Sequence, residues 1–237
     1  MNRRDWLGAT AAGLTGAGSA AAGSGSTPQA DGHGGKPDAK FMAVMGGFHA
    51  HFCGIHVAKN NPKFQLVTQH YCALGKELHQ CLLFDGCDAG AKLLGVEYII
   101  PDELFRTLPD AEKKYWHPHT YEVMAGGLIA PGMSAEDEMK FMKAILPTWG
   151  KTWHTWPDPT TRVPMGDPLL MWSLGADDQV DPKVVAARDA QFKVETAKIR
   201  ATRGKEFGLP VPQVPFPKTM DEIGRQWTAG GDDKPSK

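Results

Sequence analysis

Leu66-Val67-Thr68-Gln69-His70-Tyr71-Cys72-Ala73-Leu74, then Gly75-Lys76-Glu77, then Leu78-His79-Gln80-Cys81-Leu82-Leu83-Phe84-Asp85 is the stretch whose reading decides the fold. Two runs of strand-forming residues flank a short link that contains glycine, which is how a hairpin reads in sequence. Pairing Leu74 with His79 sets Cys72 opposite Cys81. Opposed residues share a face, so His70, Cys72, His79 and Cys81 stand together on one side. A continuous helix would instead place the two cysteines, nine residues apart, about half a turn from each other. The hairpin therefore predicts that the two sulfurs face each other, close enough to bond in an oxidising compartment.

Outward from the hairpin, short strands continue on both sides. His51–Ala58 reads as a strand closed by the turn signal Lys59-Asn60-Asn61-Pro62-Lys63. Phe41–Phe48 fits helix and strand alike. Lys92–Ile100 is the most strand-like run of the chain, with Glu97 inside it, either an edge residue or a buried carboxylate that needs a partner. Pro101–Thr107 and Asp110–Tyr115 read as short helices or turns, and Thr120–Ile129 as a strand interrupted by Gly126-Gly127. Ser134 caps a helix that runs to about Ile145. Gly150–Trp156 is a short aromatic strand with Thr152, His154 and Trp156 on one face. Asp181-Pro182 opens the longest helix, to about Thr202, and Val211–Pro217 reads as an extended proline-rich wrap. Hairpin-length links between short strands argue against a doubly wound parallel fold. The expectation is an α+β single domain: a mainly antiparallel sheet from residues 51–156, flanking helices, and a long C-terminal helix over 182–202.

Composition sets the outer limits. The 237 residues are 41% hydrophobic and 22% charged, with a net charge of −1. Nothing there recruits nucleic acid or anionic lipid, and no apolar run is long enough to span a bilayer in the mature protein. Asn2-Arg3-Arg4-Asp5-Trp6-Leu7 resembles the twin-arginine export motif; an Ala/Gly-rich region and the small-residue site Ala20-Ala21-Ala22 follow in order. The expected organisation is an export signal over 1–22, a Gly/Ser/Pro-rich linker over 23–40, a folded domain over 41–227 and a polar tail over 228–237. The expected location is periplasmic or secreted.

Chemistry concentrates at Trp116-His117-Pro118-His119-Thr120-Tyr121-Glu122-Val123. Pro118 opposes a helix through this point, and in an extended segment His117 and His119 project to the same side. Glu122 has the opposite parity and joins them only across a bulge or turn. His56, His70 and His154 fall in strand-like runs whose parity permits approach to the same place. The expected metal ligands are therefore His56, His70, His117, His119, Glu122 and His154, in a pocket lined by Trp116 and Trp153. Imidazole and carboxylate donors suit Zn, Cu, Fe or Ni, and spacing does not choose among them. Glu97 and Glu122 are the candidate bases for a metal-activated water.

Several of these stretches also resemble a known family. His51-Phe52-Cys53-Gly54-Ile55-His56, His70-Tyr71-Cys72 and Gln80-Cys81-Leu82-Leu83-Phe84-Asp85 are similar to segments of the oil body-associated proteins. So are Asp88–Ile100, Trp116–Val123 and Trp149–Trp156, and the likeness runs from about residue 49 to about 175. The resemblance implies a protein of unassigned activity; plant members associate with seed oil bodies and help keep those droplets intact. This chain departs from the plant pattern in its export signal, its C-terminal helix and its proline-rich tail. Three function classes are open, the third a structural one in which the cysteines and histidines merely satisfy a compact β domain. The first is a metal-binding protein, with a small-molecule enzyme as one form of it; the second is a lipid- or hydrophobe-binding module without catalysis, marked by a contiguous apolar patch.

Overall fold

The computed structural model describes residues 39–213. The expected export signal, all but the last two residues of the expected linker and the expected tail lie outside the described residues. Helix α1 (Ala39–Gly46) resolves the ambiguous stretch at the start of the domain as helix.

Four strands follow in a meander: β1 (Ala50–Ala58), β2 (Asn61–Ala73), β3 (His79–Phe84) and β4 (Leu93–Pro101). Short helices α2 (Asp102–Thr107) and α3 (Asp110–Lys113) lead to a two-residue strand, β5 (His117–Pro118), and to helix α4 (Thr120–Met124). Helix α5 (Ala135–Ile145) precedes β6 (Thr148–His154) and β7 (Leu169–Trp172). Helices α6 (Pro182–Phe192) and α7 (Thr196–Phe207) complete the described chain.

The hairpin forms in the expected register, with Cys72 opposite Cys81 and the two sulfurs bonded. The neighbouring strands do not stay an open sheet. Neighbours run β4-β3-β2-β1-β7-β6, and β6 pairs back onto β4 from Gly95↔His154 to Pro101↔Thr148. The result is a closed, wholly antiparallel six-stranded barrel. Closure removes the unpaired edges that an open sheet would expose. Gly95 sits at the seam, where an added Cβ would collide with the Trp153 carbonyl. The expected α+β class stands, with the sheet corrected to a barrel.

Alternation along the strands sorts side chains between the two sides. Phe52, Cys72, Cys81, Leu83 and Ile99 pack into one apolar cluster, sealed by Met142 and Ile145 of α5. A large side chain of this kind contributes about 2–3 kcal/mol on full burial. Outside the barrel, Ile100, Phe105, Trp116, Trp149, Leu170 and Trp172 form a second cluster, in which Phe105 and Trp149 stack. Ile55, Val57, Tyr121 and Leu174 form a third, packed against valines of α6.

Two further expectations are corrected. The long C-terminal helix is two helices. Lys193 takes the left-handed conformation at φ 55°, which ends α6. The Asp189 carboxylate then accepts from the Thr196 N–H and starts α7. Thr120–Ile129 is not a strand: helix α4 occupies its first half. Two buried arginines bind carbonyls at the end of this helix and in the turn that follows it. Arg188 donates to the Gly126 and Gly127 carbonyls, and Arg203 to those of Val123 and Leu128. The outer helices thus hold α4 against the barrel through side chains that reach inward.

Candidate metal centre

Glu97 is at the middle of the inward-facing polar residues. It lies on β4, between Cys81 of β3 and Thr152 of β6, and it is fully buried. A buried carboxylate is costly without partners, and here four imidazoles supply them. On one side, His70 Nε2 lies 2.9 Å and His56 Nε2 3.7 Å from Oε2. On the other, His119 Nε2 lies 3.3 Å and His117 Nε2 3.4 Å from Oε1. The two carboxylate oxygens are therefore served by different pairs of rings.

The pairs arrive by different routes. His56 on β1 and His70 on β2 share the inward face because each is an even step along its strand from a core residue, Phe52 and Cys72 respectively. Phe52 stacks on the His70 ring with centroids 4.6 Å apart. His154 on β6 stands behind His56, its Nε2 3.1 Å from His56 Nδ1. His117 belongs to β5, opposite Gly150 of β6. His119 is the N-cap residue of α4 at φ −88°, ψ −5°, so the chain turns between the two rings instead of carrying them on one extended face. Glu122, one turn into that helix, comes to 3.8 Å from His119. The turn that the sequence required for Glu122 to join is the start of this helix.

One hydrogen-bond chain orients His119. Its Nδ1 lies 2.7 Å from the Thr148 hydroxyl, and that hydroxyl donates to the Ile145 carbonyl at 2.6 Å. The Thr148 oxygen therefore accepts from the His119 Nδ1–H, and Nε2 is left facing Glu97. His117 is different. Neither of its ring nitrogens has a hydrogen-bond partner, although both are buried, and His70 Nδ1 and His154 Nδ1 share that condition.

The electrostatics follow from this enclosure; none of the seven residues is more than 4% exposed. Burial alone would raise the Glu97 pKa, but the imidazoles of His117, His119 and His70 hold it well below the usual carboxylate range. Burial pushes Glu122 up to about 8, with the Glu97 charge adding to the effect. Burial pulls His117 down to about 4 and His154 to about 3, and it holds His56 well below the ordinary imidazole range. His119 moves the other way: burial opposes its charge, but the bond to Glu97 and the charge of Glu122 outweigh it.

All six residues expected from the sequence are present in this cluster. Four of them, His56, His70, His117 and His119, fall into two donor sets, and each set shares Glu97 as its third member. His154 and Glu122 flank these sets. Glu97, read from sequence as a base or an edge residue, is the hub. The signal that could have identified it was a carboxylate inside the most strand-like run. Trp116 and Trp153 belong to the outer aromatic cluster; the ring beside His117 is Trp172. Lys59 was also missed. Its amine lies over Trp172, donates to the Lys114 carbonyl, and is lowered to about 5 by burial and the Lys114 charge.

The residues fit a transition metal. Gly150, opposite His117, has no side chain, and a Cβ built there would fall against Glu97 Oε1, 2.7 Å from His117 Nε2 and 2.8 Å from His119 Nε2. The missing methyl leaves a cradle among three buried donors. His117 Nε2, aimed into that space without a hydrogen bond, is what an ion would satisfy.

The fold and cluster define a class: a closed antiparallel barrel with a buried histidine–carboxylate core. A family described as "Protein of unknown function (DUF1264)" matches residues 42–206. Oil body-associated protein 1A of Zea mays is 37% identical over 174 residues, covering 71% of this chain and 73% of that protein. Oil body-associated protein 1B of Arabidopsis thaliana is 35% identical over 174 residues, covering 71% and 72%. The chain belongs to this oil body-associated, DUF1264 family. No solved structure matches it.

Proposed function

We propose that this protein binds a transition metal ion inside the barrel, through Glu97 and the imidazoles of His56, His70, His117 and His119, with His154 and Glu122 positioning them. The observation that carries the reading is His117: a buried imidazole with no hydrogen-bond partner, turned toward an ionised carboxylate and a second ring across the space left by Gly150. Neutral imidazoles and an ionised carboxylate are the forms that coordinate Zn, Cu, Fe or Ni, and burial already holds His56 and His117 neutral. Elemental analysis of protein purified without chelator tests the proposal, followed by uptake of zinc into chelator-treated protein. A His117→Ala/His119→Ala variant should bind less metal than the wild type while keeping its circular dichroism. A wild-type protein that neither carries nor takes up metal would sink the idea.

A second reading, association with a lipid or hydrophobe surface, has its own support. Met42, Val44 and Met45 of α1 are exposed, beside a groove lined by Phe48, Tyr71, Leu82 and Phe84. Curated relatives carry the name oil body-associated. Among the described residues no helix is long and apolar enough to cross a membrane, so such binding would be peripheral. Flotation with triacylglycerol emulsions, comparing wild type with Met42→Ser/Met45→Ser, tests it; equal recovery of both proteins counts against this face. For location, the paired arginines support export, and the buried Cys72–Cys81 bond suits an oxidising compartment. Retention of an Arg3→Lys/Arg4→Lys variant in the cytoplasm is the expected result; unchanged export would refute it.

A further inference from the structure

We infer that the barrel holds two metal ions, bridged by Glu97. The inference rests on the metal-binding reading above and says how many ions that site takes and how they are connected. Donors about 2.1 Å from one ion at tetrahedral angles lie about 3.4 Å apart. His56 Nε2, His70 Nε2 and Glu97 Oε2 form a triangle with sides of 3.1, 2.9 and 3.7 Å. His117 Nε2 and His119 Nε2 stand 3.4 and 3.3 Å from Glu97 Oε1, and all three atoms lie within 4.8 Å of one another. Each triangle has the size that one ion requires.

The triangles have only Glu97 in common, and they use different oxygens of it. A carboxylate with one oxygen in each of two His₂ sets is the arrangement of a bridging ligand. One ion at either triangle would leave the other imidazole pair buried around the second oxygen with no cation between them. Each set also has its own support. His154 stands behind His56, and Thr148 behind His119. Ligating histidines are commonly oriented by such partners at the far ring nitrogen. The Gly150 cradle belongs to the His117–His119 set alone. Three protein donors per ion leave a coordination position open at each, the arrangement of two-metal centres that hold a solvent molecule or small oxygen ligand between the ions.

The test is stoichiometry. Chelator-treated protein is dialysed against zinc and analysed for bound metal per chain. Two equivalents are expected. One equivalent overturns the bridge and leaves the metal-binding reading intact, whereas none overturns both. His56→Ala/His70→Ala and His117→Ala/His119→Ala should each keep one equivalent, and so should Gly150→Ala, which fills the cradle without removing a ligand. If all three variants still bind two, the ions lie elsewhere. Copper(II) provides a readout that does not depend on any variant folding. At two equivalents the electron paramagnetic resonance signal should integrate to well under two spins, because a bridging carboxylate couples them. Two full, uncoupled spins would overturn the bridge.

Discussion

The two halves of the candidate metal centre were built by different means. His56, His70, Glu97 and His154 come from four barrel strands, where alternation and strand pairing decide where a side chain points. His117, His119 and Glu122 come from a two-residue strand and the first turn of a five-residue helix. A helix that short is not stable by itself. It is held by Arg188 and Arg203, reaching in from helices more than sixty residues away in sequence. The strand-borne half is a property of the barrel, while the turn-borne half depends on what is packed outside it.

The difference should appear most strongly in the pH dependence of metal-free protein. His56 and His154, with His117, have lowered pKa values in the fold. The unfolded chain therefore binds more protons than the folded one from about pH 3 to 6.5, and stability should climb with pH across that window. A shift the size of that at His117 corresponds to about 3 kcal/mol. His119 and Glu122 are raised, Glu122 to about 8, so their contributions are lost as pH rises, for Glu122 between about 4.5 and 8. Urea melts should place the maximum near about pH 6.5. Glu122→Gln should flatten the alkaline limb and steepen the acid limb only above about pH 4.5; an unchanged alkaline limb would mean that Glu122 does not carry it.

Arg203→Met comes next in size. It strips the donor from two buried carbonyls, at about 1–3 kcal/mol each. Zinc uptake should fall by the His117–His119 share while the strand-borne ligands still bind. Complete loss of uptake in a folded variant would mean that the barrel half does not stand alone.

Removing the disulfide, as Cys72→Ala/Cys81→Ala, probes the other half. The bond closes a loop of sequence separation 9 and should contribute about 2–3 kcal/mol, chiefly by restricting the unfolded chain. The midpoint should fall in urea, with metal stoichiometry unchanged because the register also rests on the ladder bonds. The smallest effect is expected at Ser134→Ala. Its hydroxyl accepts from the Asp137 N–H and caps α5, so about 1 kcal/mol should be lost with no change at the site. Metal loss in this variant would show that α5 matters to the turn-borne half beyond sealing the core.

How far each half could be read beforehand follows from the same contrast. The Cys72–Cys81 register, the inward faces of His56, His70 and His154, and the Ser134 cap were legible because strand parity and capping act over a few residues. Pro118 argued correctly against a helix through His117–His119, but no local signal placed a helix directly after His119. The break at Lys193 was hidden as well. Asp189 and Thr196 read as ordinary polar residues of one long helix until their contact is seen.

The sequence by itself determined the four strands of the meander and β6, which of their side chains share a face, and the disulfide pairing, because a period of two is written into the chain. Only the tertiary structure decided that the sheet closes, with β6 returning to β4 over an intervening run of some fifty residues. That closure set Glu97 beside β6 and β5. It turned a lone carboxylate in a hydrophobic run into the point where four imidazoles meet, because strand partners distant in sequence are chosen by packing and not by local pattern.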